Sequence, residues 1–216
     1  MDIEANIKRY REELGSEITL VAISKTKPGS DIMIAYNAGQ RIFGENKIQE
    51  LSDKWEALPK DIEWHMVGHV QRNKVKYMAP FVQLVHAVDS LKLLKEINKE
   101  ARKNDRIINC LLQIKIAREE TKFGLELEEA KEILSSDAVL KFKNVKLIGL
   151  MGMATYTDDT EQVKAEFLKL KTAFDDLKKD NKEFTTLSMG MSGDYQIAVE
   201  CGSNMVRIGS SIFGER

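Results

Sequence analysis

The chain offers an amine at a strand end. Lys25 directly follows the apolar run Leu20-Val21-Ala22-Ile23-Ser24, so a strand drawn through that run releases the lysine where it leaves the core. A lysine there is expected to be partly desolvated and close to other cations, and both effects favour the neutral, nucleophilic amine. Pro28 restricts Lys27 to extended backbone and helps to end the strand. On position alone, the commoner role of such a lysine is a solvated strand end.

Two further groups suit an anion. In Ser188-Met189-Gly190-Met191-Ser192-Gly193-Asp194, an apolar run passes into small residues ahead of a helix start. Small residues let backbone N–H groups approach a ligand, and a helix start adds partial positive charge. Arg207-Ile208-Gly209-Ser210-Ser211 ends the last apolar run with another glycine and two hydroxyls. Either segment alone reads as an ordinary turn. At the ends of two consecutive strands they form a coherent phosphate site. Arg207 alternates with Val206 and Ile208 and so points away from both. A guanidinium on a core strand needs a partner, because an unpaired buried charge is costly. Two partners are open: an ion pair with Glu45 or Asp194, or a heteroaromatic ligand.

The elements that must position these groups are short apolar runs alternating with amphipathic ones. The runs are 20–24, 41–44, 64–67, 84–88, 107–116, 145–154, 185–189 and 205–208. Most are rich in Val, Ile and Leu with little polar alternation, as in strands buried on both faces. Between them, Val163, Phe167, Leu170, Phe174 and Leu177 place one apolar stripe on a helix. Ile3, Ile7, Tyr10 and Leu14 do the same in an extra helix ahead of the first strand. Ser30 is expected to cap a helix ending at Gly39, and Asp89 or Ser90 the helix through Leu94 and Ile97. Eight strands separated by helices suit a parallel α/β protein, and a closed barrel is preferred over an open sheet.

Bulk properties narrow the class. The 216 residues allow one well-buried core, and 43% hydrophobic with 31% charged residues is a globular balance. Lys and Arg number 33 against 34 Asp and Glu, so no global basic field collects nucleic acid. No apolar run approaches the roughly 20 residues needed to cross a bilayer. Met1-Asp2-Ile3-Glu4 carries acids where a secretory signal needs basic residues. Cys110 and Cys201 are expected as buried thiols in a reducing cytoplasm. His65, His69 and His86 lack metal-ligand spacing and read as core or surface residues, and Arg72, Lys74 and Lys76 as a solvated helix face.

Taken together, the segments resemble the pyridoxal phosphate homeostasis protein family, also called the proline synthase co-transcribed family. The blocks that carry the resemblance are 21–28, Phe43-Gly44-Glu45-Asn46, 64–68 with Gln71-Arg72-Asn73-Lys74, Lys122-Phe123-Gly124, Gly149-Leu150-Met151, 188–194 and 202–214. They run in the family's order along the whole chain. Val70, Asn204 and Ser210 depart conservatively from the family's usual residues. The resemblance implies a single (β/α)8 TIM barrel over residues 1–216, similar to the barrel domain of alanine racemase and of fold-type III decarboxylases. It implies pyridoxal 5'-phosphate (PLP) as cofactor. By that likeness Lys25 would hold PLP as a Schiff base and Arg207 would face the pyridine nitrogen. Ser192, Gly209 and Ser210 would hold the phosphate, Asn46 would lie near the ring, and Met189 would line the pocket.

A racemase of this type needs a second acid–base group on the other face of the cofactor, which its relatives supply as a tyrosine from a second, mostly β domain. The sequence ends at Arg216, directly after the eighth-strand motif, so the barrel is expected without that second domain. The favoured function is therefore a monomeric PLP-binding protein of intracellular vitamin B6 homeostasis, without robust catalysis of its own. It would pass cofactor to apo-PLP-dependent enzymes and bind neither nucleic acid nor membrane. The alternative is a PLP-dependent amino-acid racemase or related enzyme. A barrel aldolase using Lys25 directly on a phosphorylated sugar remains a third reading.

Overall fold

The structure, a computed structural model, describes residues 2–118 and 123–215. Strands β1 (Thr19–Ile23), β2 (Ile42–Glu45), β3 (Glu63–Met66), β4 (Leu84–Val88), β5 (Ile108–Gln113), β6 (Val145–Met151), β7 (Thr186–Ser188) and β8 (Met205–Ile208) are joined in that order in one closed barrel. Every pairing is parallel, and β8 closes on β1 with Ala22 opposite Ile208. The chain is thus the (β/α)8 barrel expected, not an open sheet.

Strand alternation sorts the apolar residues into two layers. Val21, Ile23, Leu84, Leu111, Met151 and Met205 fill the lumen. Leu20, Ala22, Phe43, Trp64, Met66, Val206 and Ile208 face outward against the helices. The outer layer includes α1 (Ile3–Leu14), whose buried residues are Ile3, Ile7, Tyr10 and Leu14. It also includes α8 (Thr160–Asp180), which buries Val163, Phe167, Leu170 and Phe174. Each such side chain contributes about 1.5–3 kcal/mol when fully buried, which is what fixes these helices to the wall.

The other helices are α2 (Gly29–Asn37), α3 (Ile48–Ala57), α4 (Val75–Met78), α5 (Leu91–Lys103), α6 (Leu127–Ser135), α7 (Asp137–Leu140), α9 (Tyr195–Glu200) and α10 (Ser210–Phe213). Caps depart in part from expectation. Ser90 caps α5 by accepting the Leu93 N–H, while Asp89 pairs with His69 instead. Ser30 does not cap α2, because that helix starts at Gly29 with Pro28 as its N-cap, two residues ahead of the expected cap. The proline ring presets the φ that a helix entry needs, which moves the start ahead of the serine. β5 and β6 are shorter than the apolar runs that announced them. The rest of the β5 run continues as a single bridge from Ile114 to Leu125. Among the described residues, no helix is long and apolar enough to cross a membrane.

Candidate functional site

The carboxyl end of β1 is a tight turn. The Lys27 N–H donates to the Ser24 carbonyl at 3.0 Å, which places Lys25 and Thr26 at the two corners. Thr26 has φ +65°, a left-handed value normally left to glycine at that corner. A β-branched residue there is strained and persists only where its surroundings hold it. The hold comes from α3: Glu50 Oε1 accepts the Thr26 N–H at 2.5 Å. Lys54 Nζ, one turn further along α3, donates to Glu50 Oε1, to the Ser24 carbonyl and to Glu45 Oε1, each at 2.7 Å. Ser24 Oγ adds a hydrogen bond to the same Glu45 oxygen at 2.6 Å. Glu45 is fully buried, and its Oε2 has no hydrogen-bond partner. Burial pushes this carboxyl above the usual carboxylate range, against the opposing pull of Lys54 and Ser24.

Lys25 itself is left free by this arrangement. It is half-buried and makes no hydrogen bond or ion pair with any described residue. Its neighbours are engaged: Lys27 Nζ donates to the Glu215 carbonyl at 3.0 Å, and Lys54 is the hub just described. The fold therefore presents one unpartnered primary amine on a constrained turn.

The two glycine–serine loops meet beside it. The Gly209 N–H donates to Ser192 Oγ at 3.2 Å, and the Arg207 N–H donates to the Gly190 carbonyl at 2.9 Å. Gly190 has φ +97°, and a Cβ there would lie 2.6 Å from that of Ala198, so only glycine fits. At Gly209 a Cβ would sit 3.1 Å from the Ile23 carbonyl oxygen. This close approach seats the β8–α10 loop against the end of β1, two residues before Lys25. Asp194 Oδ1 braces the other loop by accepting the Met191 N–H at 2.5 Å. Ser210 is exposed in the first position of α10, and the half-buried Asn46 amide at the end of β2 has no hydrogen-bond partner among the described residues.

Arg207 points into the lumen, as its alternation requires, and is 4% exposed. Neither ion pair considered for it forms. Glu45 faces the helix layer and is held by Lys54, and Asp194 is committed to the Met191 amide. Instead, Arg207 Nη1 donates to Ser188 Oγ at 2.7 Å and Nη2 to the Gly152 carbonyl at 3.0 Å. Burial lowers the guanidinium to about 10, with Asp194 pulling the other way through space. Ser188 is the start of a buried chain: His86 Nδ1 lies 3.1 Å from Ser188 Oγ, and His86 Nε2 lies 3.1 Å from His65 Nδ1. Met189 is fully buried in the outer layer, so its side chain is not brought into the lumen with Arg207.

An amine, a buried guanidinium and paired loops of small residues suit a ligand with a carbonyl, a heteroaromatic ring and an anionic tail. The donor set therefore fits PLP. The whole chain, residues 1–216, matches the family described as alanine racemase, N-terminal domain. A pyridoxal phosphate homeostasis protein of Aquifex aeolicus (strain VF5) is 42% identical over 199 residues, spanning 91% of this chain and 86% of that one. The chain belongs to the pyridoxal phosphate homeostasis protein family. The structure of PipY from Synechococcus elongatus PCC7942 without PLP superposes with a TM-score of 0.92 at 31% identity, covering 98% of this chain and 100% of that one. The same protein with PLP bound gives 0.88 at 30% identity, with the same coverage. An alanine racemase of Clostridium difficile 630 shares the barrel alone, with a TM-score of 0.83 at 14% identity over all of this chain and 57% of the racemase.

Among the family blocks, Lys122 lies outside the described residues, while Phe123 beside it stacks on His69 with ring centroids 5.0 Å apart. Three features were missed in the sequence: the Lys54 hub, the Gly152 carbonyl and the His86–His65 pair. The signal for the last was present. Each histidine alternates with outward apolar residues, Trp64 and Met66 or Val85, so both had to point into the lumen.

Proposed function

We propose that this chain binds PLP as a Schiff base on Lys25 and serves vitamin B6 homeostasis in the cytoplasm by holding and releasing the cofactor. The observation that carries the reading is the unpartnered Lys25 amine beside the joined Ser192–Gly209 loops. The printed names of the relatives, and the PLP-bound structure of PipY, support it.

PLP, when bound, supplies an aldehyde for an amine to condense with and an electron-withdrawing ring. Lys25 Nζ would provide that amine. Glu50 and Lys54 brace the turn that carries the amine. Ser192 and Ser210 would offer hydroxyls, and the 210–211 backbone N–H groups, to the phosphate, while the Gly209 N–H holds Ser192 Oγ in place. Arg207 would face the ring nitrogen with its remaining N–H donors, and its charge would oppose protonation there. A ring so held withdraws electrons less strongly than one facing a carboxylate, which suits storage better than carbanion chemistry.

Transfer is the test. Loaded protein should reactivate an apo-PLP-dependent enzyme, and Lys25→Ala protein treated alike should not. Exchange of an amino acid's α-proton with solvent deuterium, well above that of free PLP and lost in Lys25→Ala, would instead mark a PLP-dependent racemase or related enzyme.

A further inference from the structure

We propose that His86, with His65 behind it, is a positioning residue for Arg207: the imidazole pair fixes the Ser188 hydroxyl, and Ser188 fixes the guanidinium where the cofactor's ring nitrogen would lie. The inference rests on the reading of Arg207 as the ring partner and extends it to three residues that would act through it.

The arrangement is unusual for a buried cation. Among the described residues, no carboxylate forms an ion pair or hydrogen bond with Arg207. The charge is met by neutral dipoles, the Gly152 carbonyl and the Ser188 hydroxyl. A hydroxyl has one proton and rotates, so alone it sets no direction. Once Ser188 Oγ accepts from Arg207, its own proton is free to donate to His86 Nδ1, and His86 Nε2–H can then donate to His65 Nδ1. In that order every dipole turns its negative end toward the guanidinium. Both histidines are buried in the lumen and held neutral, His65 pushed down to about 3 and His86 well below its ordinary value by desolvation. A neutral chain orients the arginine without competing for its charge, which a carboxylate in the same place would do.

Burial also argues for a purpose. The lumen around them is built from Val21, Ile23, Leu111 and Met151, and apolar residues at 65 and 86 would fill it without two imidazoles to satisfy. Both ring nitrogens of His86 are engaged, so the ring has a single defined orientation.

The experiment loads purified protein with PLP and reads the visible band and the dissociation constant. Arg207→Leu sets the size of the full band shift. In His86→Leu the Ser188 proton loses its acceptor. That variant should reproduce much of the shift and raise Kd on the order of tenfold, the scale of one lost buried hydrogen bond. His86→Asn restores an acceptor near the Nδ1 position and should return both readings toward wild type. Should His86→Leu fail to fold by circular dichroism, Ser188→Ala, which deletes a single oxygen, should give the same shift. Wild-type band and Kd in folded His86→Leu and in Ser188→Ala would overturn the proposal while leaving PLP binding intact. No shift in Arg207→Leu would overturn the role of Arg207 and this inference with it. Failure of the wild type to load at all would overturn the functional reading.

Discussion

Replacing Lys54 by methionine should destabilise the protein in a pH-dependent way. Lys54 is 11% exposed in its side chain and Glu45 0%, and the ammonium is the only positive partner the buried carboxylate has among the described residues. Methionine keeps the apolar stem but leaves Glu45 with one hydrogen bond, from Ser24. Breaking a buried pair by removing one partner costs about 3–5 kcal/mol, and the lower end applies here because Lys54 reaches some water. Glu45 can also escape the cost by taking up a proton. Its carboxyl is already held above the ordinary range by burial, so the folded state binds that proton more readily than the unfolded state. Ionising it therefore removes stability as the pH rises above the unfolded value of about 4.3, and loss of Lys54 deepens and extends that decline. The deficit of Lys54→Met should be small near about pH 5 and approach about 3 kcal/mol near about pH 8. For a chain of this size that is a fall in Tm of roughly 6–12 °C at the higher pH. Thermal melts followed by circular dichroism at both pH values read it directly. The double variant Glu45→Gln with Lys54→Met should recover most of the loss. A melt within roughly 2 °C of wild type at the higher pH would refute the account, as would an equal deficit at both.

The buried histidines carry the opposite sign. His65 and His86 stay neutral when folded, so below about pH 6.5 only the unfolded chain takes up their protons. Stability should fall with decreasing pH by up to about 1.4 kcal/mol per pH unit for each. Urea titrations of His65→Gln should show a pH slope smaller by about that amount between about pH 6 and 4, and an unchanged slope would contradict it. Gly209→Val forces a side chain onto the Ile23 carbonyl and should cost on the order of 2 kcal/mol. PLP affinity should fall with it, and unchanged binding would remove this loop from the site. Thr26→Gly relieves a left-handed β-branched residue and should leave stability unchanged or higher by up to about 1 kcal/mol. A loss larger than that in urea titration would mean that the turn is not strained.

Sequence reasoning reached the features whose logic is local. The apolar stripes of α1 and α8 fall on the residues the structure buries, with Leu177 buried only in part, because a period near 3.6 needs no knowledge of the partner surface. The inward aim of Arg207 followed from alternation with Val206 and Ile208 in the same way. Its hydrogen-bond partners did not. Ser188, His86 and His65 come from β7, β4 and β3, which converge on the lumen only once the barrel has closed. The i,i+4 spacing of Glu50 and Lys54 was visible, but their grip on Ser24 and Thr26 depends on how α3 packs over β1 and β2. Strand ends were overrun where apolar composition continues past the last ladder bond, as at Ile114 and Ile116 after β5.

Covalent capture of PLP at one amine is the central proposal. Protein incubated with PLP and cleared of free cofactor should be yellow, and borohydride should remove the visible band and leave a phosphopyridoxyl mass on the peptide carrying Lys25. Lys25→Ala should show neither the band nor the adduct. An adduct on another lysine, or a visible band that survives in Lys25→Ala, would contradict the central claim.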